Sequence, residues 1–195
     1  MTSSKTGFTG NAKVTGTGAN NVVAGAGMTN KLEVQDATDT VVTGTNSKEI
    51  YVDGTVAARD DQVSATVNAG SNTTKVDVGA TAGFDTVVVN GGEKTKTVVV
   101  NDSADITVDA AAATDVTVIG TDAKDSATVK LGVDATVAAT VLGNLTIEAA
   151  DDTTITLGAA LVDKLTVESE GDVTLEATSA QLTTKTVTNK AGSLN

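Results

Sequence analysis

Carboxylates recur in close pairs along this chain: Asp36 with Asp39, Asp60 with Asp61, Asp102 with Asp105, Asp122 with Asp125, and Asp151 with Asp152. Brought together by a fold, such groups coordinate a hard divalent cation, which takes about six to eight oxygen ligands. Asp36, Asp39, Asp102, Asp105, Asp122 and Asp125 are therefore the candidate metal ligands, and calcium is the candidate cofactor. The competing duty for the same residues is capping backbone amides at turns. Paired carboxylates also hydrolyse glycosides. Sugar-holding sites generally add aromatic or basic side chains, however, and here Arg59 is the sole arginine and Phe8, Tyr51 and Phe84 are the only large rings. With no histidine and no cysteine, the commonest general base, the usual transition-metal ligand and all thiol chemistry are missing. The expectation is a protein that is not an enzyme, with no catalytic residue to assign.

The 195 residues carry a formal net charge of −12. That balance argues against nucleic acid and against insertion at an anionic membrane, and favours solubility or divalent cations. No apolar run approaches the roughly 18 residues of a membrane-spanning helix. The start, Met1-Thr-Ser-Ser-Lys-Thr-Gly7, lacks the apolar segment of a cleavable signal peptide. An export signal, if there is one, is expected elsewhere.

Whatever holds the carboxylates must be built from the repeat that runs through the chain. Apolar-x-apolar units recur as Leu32-Glu-Val34, Ile50-Tyr-Val52, Val76-Asp-Val78, Val87-Val-Val89, Val98-Val-Val100, Ile106-Thr-Val108 and Val116-Thr-Val118. They continue as Val129-Lys-Leu131, Leu145-Thr-Ile147, Ile155-Thr-Leu157, Leu165-Thr-Val167 and Val173-Thr-Leu175. Period two with β-branched residues is strand chemistry. Asn, Asp, Gly or Glu-Ala follows most units, as at Asp53-Gly54, Asn90-Gly91, Asn101-Asp102 and Gly132, and marks a corner. Strands this short, no regular Asn-Gly or Asp-Gly hairpin signal and no tryptophan to fill a two-sheet core favour a parallel stack over an antiparallel sandwich. The predicted fold is an all-β parallel β-solenoid with an aliphatic core over residues 10–195, preceded by a tail at 1–9. Residues 55–64 and 121–127 lengthen the interval and are predicted to be loops at one corner.

Thr15-Gly-Thr-Gly-Ala-Asn-Asn-Val-Val23 lies over the nonapeptide of the calcium-binding β-roll, with Gly16 and Gly18 at two glycine positions, Asn20 in place of aspartate and Val22 as the core residue. The next nine residues keep Gly25 and Gly27 but put Thr29 where aspartate belongs. An amide or hydroxyl oxygen is a weaker calcium ligand than a carboxylate. From Gly10 onward, the apolar-Thr-apolar units with interspersed Thr and Gly resemble the β-helical region of proteobacterial surface-layer proteins and large repeats-in-toxin adhesins. That resemblance implies secretion through a type I pathway with an uncleaved carboxyl-terminal signal, assembly outside the cell and the use of calcium.

Two functions are then expected in competition. One is a self-assembling extracellular structural protein that polymerises head to tail through its solenoid ends, as filament, matrix or surface layer, with cell-surface polysaccharide as a further partner. The other is a non-enzymatic adhesin or phage-fibre module that binds a glycan or protein. An ice-binding solenoid would need a flat Thr-x-Thr ladder at the same positions in every coil, and Val, Glu, Lys and Asp interrupt the outward positions here.

Overall fold

An apolar-x-apolar unit buries two side chains on one side of a strand and turns the middle one outward, so a chain of such units needs a shared interior. The computed structural model describes residues 10–16, 19–24, 28–54, 63–81, 83–169, 171–182 and 186–189. It is an all-β parallel solenoid. Its strands are β1 (Ala12–Thr15), β2 (Ala19–Ala24), β3 (Lys31–Gly44), β4 (Glu49–Gly54), β5 (Ser64–Ala69), β6 (Lys75–Val78), β7 (Thr86–Asn90) and β8 (Thr97–Val100). β9 (Asp105–Asp109), β10 (Asp115–Ile119), β11 (Ser126–Leu131), β12 (Ala135–Ala149), β13 (Thr153–Glu168), β14 (Val173–Glu176) and β15 (Thr186–Asn189) follow, with one short helix, α1 (Ser179–Leu182).

Each turn places one strand on each of two faces. The first face stacks β1, the start of β3, β4, β6, β8, β10, the starts of β12 and β13, and β14; the second stacks β2, the end of β3, β5, β7, β9, β11, the ends of β12 and β13, and β15. Among the described residues all pairings are parallel, and each face is nine strands deep. Because β3, β12 and β13 run around a corner without a break, the two faces form a single wound sheet of 15 strands.

The interior is a set of aliphatic columns. Leu32, Ile50, Val76, Val98, Val116, Val137 and Leu157 stack on the first face, and Val42, Val67, Val89, Val108, Val129, Ile147 and Val167 stack opposite. Nearly all are fully buried. Turn length varies while the columns do not: Leu32 to Ile50 is 18 residues and Ile50 to Val76 is 26. The extra residues fall between β4 and β5, where residues 55–62 lie outside the described set.

The corner from second face to first is pinned by buried hydroxyls. Thr73 Oγ1 donates to the Ser47 carbonyl one turn below at 2.7 Å and accepts the Gly70 amide at 3.0 Å. Thr95 repeats the pattern, donating to the Thr73 carbonyl at 3.1 Å and accepting the Gly92 amide at 2.9 Å. On the opposite corner, Gly79 has φ of 74°, and a Cβ there would overlap the Asn101 carbonyl oxygen, so this position requires glycine.

Two sequence expectations are corrected. The expected loop over 121–127 closes earlier, since Ser126 and Ala127 already belong to β11. The expected loop over 55–64 likewise ends before Ser64, which opens β5, and its residues 55–62 lie outside the described residues.

Candidate functional site

All six candidate ligands sit at the corner that leads from the first face to the second. Asp36, Asp39 and Asp102 have φ of 52°, 26° and 52°, a left-handed backbone that aspartate tolerates better than most residues. The Asp39 carboxylate accepts both the amide and the hydroxyl of Ser64 from the next turn, each at 3.1 Å. Asp105 opens β9 and accepts the Ser126 hydroxyl at 3.0 Å, again from the next turn. Asp125 organises its own loop: one carboxylate oxygen accepts the Thr121 amide, the Thr121 hydroxyl and the Asp122 amide, all at 2.7 Å. Asp122 accepts the Lys124 amide at 3.1 Å.

Geometry therefore gives Asp39, Asp105, Asp122 and Asp125 turn-capping or coil-linking bonds. Asp39 and Asp105 share one column but stand three levels apart, about 14 Å at the usual strand spacing, too far to share an ion. Asp102/Asp105 and Asp122/Asp125 occupy neighbouring turns. Among the described residues, no three His, Cys, Asp or Glu side chains meet in a cation-binding group. Asp60 and Asp61 lie outside the described residues, and Asp151 and Asp152 belong to the other corner, where Asp151 accepts the amides of Asp152 at 2.9 Å and Asp172 at 2.8 Å. Within the β-roll-like segment, Val22 is buried as expected, whereas Asn20 falls inside strand β2.

The outward positions carry features that single units do not reveal. On the first face near the amino end, Glu33 bridges Lys31 at 2.9 Å and Lys13 at 3.5 Å, so one carboxylate serves two ammonium groups. Lys31 and Lys75 lie over the Tyr51 ring at 4.1 and 4.9 Å, and Lys75 also bridges Asp77 at 3.0 Å. The bond from Lys31 holds the Glu33 carboxyl below its ordinary value and raises Lys31 in turn. On the second face, Thr66, Thr107, Thr128, Thr146 and Thr166 share one column on the outer side of the sheet, interrupted by Val88, with Thr166 itself buried. The neighbouring column runs Asn68, Asn90, Asp109, Lys130, Glu148 and Glu168, so the doubled threonine ladder of an ice-binding face is missing. An open groove of about 680 Å³ follows the corner that leads from the second face to the first, with alanines at 111, 149 and 150 and a rim of Lys130, Glu148 and Glu168.

The solenoid ends form the second candidate surface. β1 and β2 each pair with β3 on one side, β14 and β15 each pair with β13, and no described strand lies against their other edges. Helix α1 spans four residues. It lies between β14 and β15, and its Gln181 amide donates to the Leu157 carbonyl of β13 at 2.9 Å and to the Gly158 carbonyl.

No family model, curated protein or solved structure matches the chain.

Proposed function

We propose that this chain is a non-enzymatic, extracellular structural protein that assembles end to end into filaments or a surface layer, with calcium assisting. The observation that carries this reading is the pair of strand edges that have no strand partner among the described residues, β1 and β2 at one end and β14 and β15 at the other. An unpaired edge is a template for another chain. Because the two ends differ, their contact is heterologous, and copies stacked along the solenoid axis repeat without closing, which yields filaments or lattices. The resemblance to secreted β-helical proteins supplies the extracellular setting, and the net charge of −12 supplies the reason for a divalent cation. Light scattering across a concentration series, with millimolar calcium and physiological salt, should show mass growing well past one subunit. A single-subunit mass at every concentration would remove this reading and leave the adhesin or phage-fibre module, whose ligand would be sought in the open groove.

A further inference from the structure

In a solenoid wound in one direction, position in the sequence is height along the axis. Charge can then be read as a function of height. The first turn, residues 10–30, contains Lys13 as its sole charged residue. Described residues 10–48 hold three lysines, Lys13, Lys31 and Lys48, against three carboxylates. Residues 148–195 of the sequence hold eight carboxylates against three lysines, Lys164, Lys185 and Lys190. The chain is therefore polar in charge along its winding order: its last 48 residues are net acidic, and the one charged residue between 10 and 30 is a lysine.

We infer that the end-to-end joint is a charge-matched contact between two copies of this chain, in which the acidic carboxyl end of one receives the lysine-bearing amino end of the next. This rests on the end-to-end reading above and fixes which ends meet and what selects them. Lys13 points outward from β1 with more than half of its side chain exposed, and its partner Glu33 is already shared with Lys31. At the other end Glu176 is exposed on the last first-face strand and accepts the Thr156 hydroxyl at 2.9 Å, and Asp172 is exposed just before that strand. Inward residues also match in phase, Leu175 of β14 and the following Ala177 against Ala12 and Val14 of β1. A register that sets Leu175 against Ala12 places Glu176 beside Lys13, whereas two like ends would set lysine against lysine or carboxylate against carboxylate.

The net charge of −12 opposes association, but the two effects act at different distances. Nine stacked strands put the centres of successive copies roughly 40 Å apart, several times the Debye length of about 8 Å at physiological salt. Repulsion between whole subunits is therefore screened, while groups in contact at the joint are not.

Reversal of each end separately tests the joint. One variant carries Asn11→Asp with Lys13→Glu, and the other carries Asp172→Lys with Glu176→Lys. All four positions are exposed or face outward, and circular dichroism with melting confirms that each variant folds. At physiological salt the wild-type chain should assemble, each variant alone should need at least tenfold more protein to do so, and an equimolar mixture should recover wild-type assembly by sedimentation, because every joint in an alternating polymer again pairs opposite charges. If both variants assemble alone as the wild type does, or the mixture recovers nothing, charge matching is overturned while end-to-end assembly stands. If the wild-type chain itself stays at single-subunit mass, both the assembly reading and this joint are overturned.

Discussion

Ser47 and Thr73 occupy successive levels of one corner, both fully buried, with opposite consequences for stability. Thr73 donates to one backbone carbonyl and accepts one amide, so Thr73→Val, which keeps the volume, strands both groups. An unsatisfied buried polar group costs about 1–3 kcal/mol, and urea midpoints should fall accordingly. The Ser47 hydroxyl oxygen has no hydrogen-bond partner, so Ser47→Ala should leave the midpoint unchanged or raise it. Val141 adds a third case. Its φ of 56° is rare for a β-branched residue, and its side chain is exposed, so Val141→Gly should relieve about 1 kcal/mol of backbone strain. The Glu33 carboxyl, held below its ordinary 4.5 chiefly by the bond from Lys31, contributes stability that is complete above the unfolded carboxylate range and is lost as pH falls through the lower folded value. The contribution is modest because these groups remain partly exposed. The midpoint difference between wild type and Glu33→Gln should shrink toward zero as pH falls below the ordinary carboxyl value and through the lower folded one, and a difference that persists once the carboxyl is protonated in both states would assign the effect to packing.

Strands were legible where both inward residues were large. All twelve apolar-x-apolar units are strands, because two branched side chains two residues apart have few other uses in a narrow aliphatic core. Strands with a small or polar inward residue escaped: Ala65-Thr66-Val67 on β5, Ala135-Thr136-Val137 at the start of β12, and the buried Thr40 of β3. Alanine and threonine fill an interior and a surface equally well, so period two fades there. Strand spacing alone also could not fix two strands per turn, which depends on how much each corner bends. The pairing now makes a deletion test possible. Removing residues 98–115 takes out one complete turn, so β10 would stack on β6 and β11 on β7 with inward residues still inward. Repeat stacks are close to one-dimensional, with each turn contacting its neighbours. The shortened chain should keep a strand-dominated far-ultraviolet spectrum and a cooperative melt. Deleting 98–106 removes about half a turn, exchanges the faces for all that follows, and should abolish cooperative folding.

At the scale of the whole molecule, aspartate pairs were visible in the sequence but their tasks were not, since a left-handed φ at Asp36 or three bonds gathered by Asp125 is decided only when the corner closes. Axial charge became readable once chain order was known to be height. If calcium bridges acidic ends or corners of the native form, it adds RT ln(1 + [L]/Kd), roughly 2.7 kcal/mol at a hundredfold excess over Kd. The melting temperature or the extent of assembly should rise between chelator and millimolar calcium, and identical values of both would exclude that role. The most direct test of end-to-end stacking is diffraction from aligned assemblies, or the power spectrum of their electron micrographs. Stacking through β14, β15, β1 and β2 keeps every strand perpendicular to the filament, so the roughly 4.8 Å strand spacing should appear along the filament axis, with a subunit repeat near 40 Å. A 4.8 Å spacing directed across the axis would mean side-by-side packing of solenoids and would contradict assembly through their ends.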